Sequence, residues 1–339
     1  MFEPFYGNAA AAETLAQMIR HDRIPQTILL NGPEGVGKAT LARRFAAELL
    51  GDRNKIEKDD LSLPDNAGLI AEREKLPADK RSEDPLLFAS HVDFVTFPPD
   101  GPLRQISIQQ IRLLKERAQF GPLKGRRRVF LIDHLDRANE QAANSLLKIL
   151  EEPPPYLILV ATAENAYDLL PTIRSRSLMI AMSPLSTAEM DAFVRDKGLK
   201  DLKRRIALAG GSPGIALSLD LEAYDKRRAA MIALLQAASG VQPYGAWSRV
   251  SESLSRTDKL ENHLSVLYGL LEDILFLQLN SGDVRNFDVR TELDAIAQKV
   301  GFDWLRTAIR KIDELVELLR RNIQKTIALD ALVAELRSA

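Results

Sequence analysis

The stretch Thr27-Ile28-Leu29-Leu30-Asn31-Gly32-Pro33-Glu34-Gly35-Val36-Gly37-Lys38-Ala39-Thr40 decides the fold. Its first four residues are an apolar run of the kind found in a buried parallel strand. The next seven, Gly32-x4-Gly37-Lys38, have the spacing of a phosphate-binding loop. Glycines there let successive backbone N–H groups point inward as an anion nest, and the following helix adds its positive N-terminus. Lys38 is the residue that reaches the β- and γ-phosphates in such a loop. After it, Leu41, Phe45 and Leu49 recur at a spacing of four with Ala42 and Ala46 alongside, which predicts a helix with one buried face. Strand, glycine turn and helix together predict an α/β nucleotide-binding domain.

One element of the motif is missing. The position after Lys38, where a Ser or Thr hydroxyl coordinates Mg²⁺, is Ala39. Thr40 follows, but one helical step is about 100°, so its hydroxyl is expected to aim elsewhere. Gly32, Gly35, Gly37, Lys38, Ala39, Thr40 and, further on, Asp133 therefore form a degenerate nucleotide site. Weak ATP or ADP binding is compatible with it. Organisation of a catalytic metal is not.

Working outward, residues 9–22 predict a short amphipathic helix, and Val92–Phe97, Arg128–Asp133, Tyr156–Ala161 and Leu178–Ile180 predict further strands. Helices are expected at 106–120 and near 138–151, the latter stopped by Pro153-Pro154-Pro155, because proline has no amide donor. Alternating strands and helices imply a parallel sheet covered on both faces. Residues 51–90, charged and containing Pro64 and Pro77, look like an inserted, partly mobile surface segment. Beyond about residue 182 the strands cease. The expected domains are 1–182, a small helical unit at 183–221 broken at Gly210-Gly211-Ser212-Pro213-Gly214, and a helical domain at 222–339. That last domain carries a stripe of Ile309, Ile312, Val316, Leu319 and Ile323.

Composition limits the partners. The chain has 339 residues, 45% hydrophobic and 27% charged, which is a globular profile and long enough for two or three domains. With 46 basic against 47 acidic residues it has no global field for nucleic acid. It contains no cysteine, which excludes disulfides and thiolate metal sites and fits a reducing compartment. Met1-Phe2-Glu3-Pro4 has no signal-peptide character, and no run approaches the ~18–20 apolar residues of a membrane span. The expected location is the cytoplasm, without membrane contact. Lys124, Arg126, Arg127 and Arg128 form the densest basic cluster. It could touch DNA phosphate, but is better read as solubilising a strand mouth or facing a neighbouring subunit. Lys203, Arg204 and Arg205 read as solvated charge.

The run from Leu131-Ile132-Asp133-His134 through Asn144-Ser145-Leu146-Leu147-Lys148-Ile149-Leu150-Glu151-Glu152-Pro153-Pro154 resembles the clamp-loader subunits of bacterial DNA polymerase III, an AAA+ family. The likeness continues through Leu159-Val160-Ala161-Thr162 and Leu170–Ser177, and covers residues 5–50 and 90–220 best. Asn322 to Leu336 looks like the family's final collar helix. It implies an AAA+ P-loop domain, a helical lid and a C-terminal collar. In active AAA+ members a Glu follows the strand-end Asp and positions the attacking water, whereas this chain has His134, with Asp136 as the nearest carboxylate. Ser175-Arg176-Ser177 matches the family's Ser-Arg-Cys motif, whose arginine enters the neighbouring subunit's ATP site. A guanidinium is always ionised, and its planar fork suits phosphate oxygens. Gly214 stands where hydrolysing gamma/tau subunits carry a γ-phosphate-contacting arginine.

Keeping Arg176 while lacking the three hydrolytic groups matches the non-hydrolysing, delta-prime-like branch. That resemblance implies gamma/tau and delta subunits as partners in a hetero-pentamer, with the sliding clamp and primer–template DNA contacted through the complex. Many relatives carry a four-cysteine zinc module. Here residues 51–90 offer only His91 nearby, so no zinc and no required cofactor are expected. Two other readings stay open: a gamma/tau-like ATPase using His134 or Asp136, and a nucleotide-sensing P-loop scaffold outside replication.

Overall fold

The computed structural model describes residues 1–338 apart from 254–258, 283 and 319–323. The chain divides into two compact units, each described by itself. One comprises Met1–Leu199 with Gly211–Ile215, the other Lys200–Gly210 with Ala216–Ala339. The segment 183–221 is not a single body in this division, because its parts are shared between the two.

The first unit is built on a six-stranded sheet: β1 Thr27–Asn31, β2 Phe88–His91, β3 Phe94–Phe97, β4 Arg128–Ile132, β5 Leu157–Ala163 and β6 Leu178–Ala181. Their order is β2-β3-β4-β5-β1-β6. All neighbours pair in parallel except β2 with β3. The expected strands are present, with β2 as an added antiparallel edge. Because side chains alternate across a strand, each central strand feeds two cores. Leu29, Phe130, Leu159 and Ala161 face one side with Ile111, Leu114 and Leu146. Ile28, Leu30, Leu131 and Val160 face the other with Leu15, Leu41 and Phe45. Burying each such Leu, Ile or Phe side chain contributes about 1.5–3 kcal/mol. The switch from β1 to its outer partners brings the carboxyl ends of β1, β4 and β5 together, where α/β sheets place their sites.

Residues 51–90, expected as an inserted, partly mobile surface segment, contain regular elements. They fold into short helices at Arg53–Ile56, Pro64–Arg73 and Ala78–Glu83 before entering β2. Buried ionic contacts explain this order. Arg43, 2% exposed, reaches both Glu57 and Asp60, and Arg73 bonds Asp100 Oδ2 at 2.7 Å and the Asp84 carbonyl at 2.6 Å. The charges that looked like surface decoration are internal braces.

The second unit is helical among its described residues, with helices at Leu202–Ala209, Leu221–Ala238, Tyr244–Ser253, Leu260–Gln278, Arg290–Ala297, Phe302–Leu318 and Lys325–Arg337. Leu234, Leu267, Ile274, Ile312 and Leu329 form its core. Trp247, fully buried, donates Nε1–H to Asp330 Oδ1 at 2.7 Å and ties the last helix in. The expected stripe on Phe302–Leu318 divides. Ile312 is in the core, while Ile309 and Val316 are 40% and 41% exposed and align with Phe302, 65% exposed. A spacing of seven drifts only about 20° around a helix, so these three share one outward face. Leu319, Ile323 and the start of the expected 322–336 helix lie outside the described residues.

Candidate functional site

The loop after β1 has the backbone its sequence requires. Gly32, Gly35 and Gly37 have φ of 155°, 75° and 100°, values that L side chains adopt only with strain. Gly37 caps the helix Lys38–Leu50. A Cβ on Gly32 would stand 2.1 Å from the Met182 carbonyl oxygen, so only glycine fits there.

Lys38 does not extend into an open cradle. It is 5% exposed, and its ammonium donates to the Gly32 carbonyl at 2.6 Å and the Pro33 carbonyl at 2.7 Å. Burial lowers its pKa, against the opposing pull of Glu164, Asp133 and Asp136. Ala39 and Thr40 follow, both half-buried. The Gly211–Ile215 segment lies directly on the loop: Ser212 Oγ donates to the Glu34 carbonyl at 2.8 Å and Gly214 N to the Gly35 carbonyl at 2.8 Å. A Cβ on Gly214 would meet Gly35 Cα at 2.9 Å. An arginine at position 214 is therefore excluded by contact with the loop backbone.

Asp133 ends β4 beside the loop. It is 6% exposed and accepts from Thr162 Oγ1 at 2.6 Å, while the same hydroxyl accepts from His134 N at 2.8 Å. Thr162, on β5, thus fixes both residues. Its task is not evident from the motifs, although a polar residue inside an otherwise apolar strand is the available signal. His134 has φ 54° and a half-buried side chain.

Arg176 lies elsewhere on this unit, just beyond the short helix Pro171–Arg174. Its Nη2 donates to Glu151 Oε1 at 2.9 Å and its Nη1 to the Thr172 carbonyl at 3.2 Å. The side chain remains 36% exposed and so accessible from outside. Neighbouring Arg174 is engaged over the Tyr167 ring at 4.8 Å.

The basic clusters prove unequal. Arg128 is buried and donates to the Arg117 and Phe120 carbonyls at 2.7 and 2.8 Å, and Arg127 pairs with Asp22. Lys124 and Arg126 stay exposed. In the second unit Arg204 pairs with Asp225, and Arg205 donates to the Ala216 and Leu219 carbonyls at 2.9 and 2.8 Å. The solvated-charge expectation thus applies to Lys203 alone of that trio, since the two arginines close local structure.

A glycine loop after a central parallel strand, an acid at the end of another and strand order β3-β4-β5-β1-β6 define an α/β P-loop domain of the AAA+ type. The family model described as DNA polymerase III, delta subunit, matches residues 7–186. The chain belongs to that family. It is 28% identical over 328 residues to the DNA polymerase III subunit delta' of Pseudomonas aeruginosa, covering 91% of this chain and 90% of that protein. It is also 29% identical over 234 residues to the gamma/tau subunit of Mycobacterium bovis, covering 64% of this chain and 36% of that one. A solved gamma-subunit-related protein from Thermotoga maritima aligns over 97% of this chain and 99% of its own, at 18% identity and a TM-score of 0.49. Among the described residues no helix is long and apolar enough to cross a membrane.

Proposed function

We propose that this chain is the delta-prime subunit of a DNA polymerase III clamp loader, a subunit that does not hydrolyse ATP itself but lends Arg176 to a neighbouring subunit's ATP. It would act in the cytoplasm, in a hetero-pentamer with gamma/tau and delta subunits that places the sliding clamp on primed DNA. The observation that carries the reading is Lys38, whose ammonium is bonded to the carbonyls of its own loop while Gly214 packs on Gly35.

Physical requirements for hydrolysis fail together. Metal organisation needs the hydroxyl that Ala39 lacks, and water activation needs the carboxylate that His134 replaces. Charge stabilisation from position 214 is blocked by contact. The missing hydroxyl and carboxylate support a loop that organises no catalytic Mg²⁺, so no step is assigned to it. Arg176 retains what a finger needs: permanent charge, a fork of donors, and an exposed end. Its pair with Glu151 is half-exposed, and such surface pairs contribute about 0–1 kcal/mol. A polyphosphate can displace that carboxylate with stronger charge-assisted bonds.

For assembly, the outward face of Phe302, Ile309 and Val316 supports a helix-to-helix contact with other subunits. Of the cluster at 124–128, Lys124 and Arg126 are the exposed cations.

Reconstituting the loader tests the reading. The chain should copurify with gamma/tau and delta subunits and be needed for DNA- and clamp-stimulated ATP turnover, while showing no turnover alone. Turnover by the isolated chain, abolished by Lys38→Ala, would replace this reading with that of an active ATPase.

A further inference from the structure

Three side chains near the loop have the chemistry of cation ligands and no task in the reading above. His134 follows β4, Asp136 sits in the short turn Leu135–Arg137, and Glu164 follows β5. One donor atom from each lies within 4.8 Å of the other two. His134 Nδ1 is 3.7 Å from Glu164 Oε1. Backbone bonds hold all three in place: His134 N to Thr162 Oγ1 at 2.8 Å, and Glu164 N to Asp136 Oδ2 at 3.2 Å.

Two of the three donor groups contain an orphan. His134 Nδ1 and Asp136 Oδ1 are wholly buried atoms, and neither has a hydrogen-bond partner. Leaving a buried polar atom unsatisfied costs about 1–3 kcal/mol, and native structures rarely leave such atoms without a ligand or water. A divalent cation would satisfy both at once. The local charge also allows it: Asp133, Asp136 and Glu164 outnumber Lys38 and Arg137, the cations beside them.

We propose that His134, Asp136 and Glu164 form a binding site for a divalent transition cation of the zinc class, completed by water. One imidazole with two carboxylates suits such an ion better than Mg²⁺, which prefers all-oxygen octahedral shells. Ligand distances near 2.0–2.2 Å require the three groups to draw together by roughly 1 Å. The site is distinct from a nucleotide-linked Mg²⁺ position at Asp133, whose Oδ1 already accepts from Thr162. It also differs from the cysteine module sought in residues 51–90, being built from other residues at the ends of β4 and β5. Arg137 competes for it, its Nη2 standing 3.1 Å from Glu164 Oε1 in a pair more than one-third exposed on both sides.

Titrating the untagged full-length chain with Co²⁺, followed by its visible absorption and then by Zn²⁺ competition, tests the proposal. A single equivalent should bind and be displaced by Zn²⁺ but not by Mg²⁺. His134→Ala and Glu164→Gln should each weaken binding at least about tenfold with unchanged circular dichroism, and Arg137→Ala should tighten it severalfold. Absent stoichiometric binding, binding indifferent to His134→Ala, or displacement by Mg²⁺ would each overturn it. Ion binding by the isolated chain is read independently of loader assembly, so neither result depends on the function proposed above.

Discussion

Arg176 donates to Glu151 at 2.9 Å, joining the Ser-Arg-Ser turn to the end of the Glu140–Glu151 helix on one surface. Both partners are exposed, at 36% and 52% of the side chain, so the bond steadies the guanidinium without sequestering it. The arginine is thus held near its own surface and can leave it at little cost.

For the finger, Arg176→Ala in the reconstituted loader should lower turnover at the ATP site it faces by about 10³-fold, the lower end of what arginine fingers contribute. Arg176→Lys should rescue little, because an ammonium lacks the planar fork. Glu151→Gln should leave assembly and the melting temperature nearly unchanged. Single-turnover ATP hydrolysis measured with each variant checks this, and a wild-type rate with Arg176→Ala would refute the assignment.

Restoring the missing hydrolytic groups should not restore hydrolysis. Ala39→Thr combined with His134→Glu leaves Lys38 bonded to Gly32 and Pro33, and Gly214 seated on Gly35. Phosphate release from the double variant should stay at background. Gly214→Ala, which puts a Cβ 2.9 Å from Gly35 Cα, should destabilise the first unit by about 1–3 kcal/mol, seen as a lower thermal midpoint.

Stability should depend on pH through Asp59. Burial raises its pKa, outweighing the amide bond from Ser90 and the attraction of Arg43. A carboxyl whose folded pKa is raised binds its proton more tightly when folded, so stability present below the unfolded value of about 3.9 falls as pH rises through the folded value. Asp59→Asn should therefore gain stability relative to the parent above that window and lose the advantage below about pH 4. Urea titrations at pH 3.5 and pH 7 measure the difference.

Assembly should depend on the outward face of the second unit. Ile309→Glu or Phe302→Ser places polarity on exposed positions, so the isolated chain should keep its unfolding free energy within about 0.5 kcal/mol of the parent's. Copurification with gamma/tau and delta subunits should fail. Retained assembly with both variants would move the interface elsewhere.

Much of the fold was legible because its signals are local. Buried parallel strands are apolar runs, and the glycine spacing of the loop admits few other conformations. β2 escaped because Phe88–His91 is short and exposed at Ala89 and Ser90, with no periodicity to read. The helices within residues 51–90 were not legible for a related reason: Arg43 and Arg73 are buried by partners elsewhere in the chain, and composition cannot distinguish a solvated arginine from a bracing one. In the site, the missing hydroxyl and carboxylate could be read directly. The folded-back Lys38 could not, since it is a side-chain conformation within its own loop, nor could the clustering of His134 with Glu164, which joins the ends of two neighbouring strands.

The glycines around Lys38 have a use that involves no phosphate. Gly32 admits the Met182 carbonyl, Gly35 and Gly214 admit each other, and the lysine ammonium bonds the loop's own carbonyls. The loop has become a clasp that fastens a later part of the chain to the first strand. A signature scan of such a protein reports a purse for nucleotide, yet the same letters are required simply to keep the clasp shut.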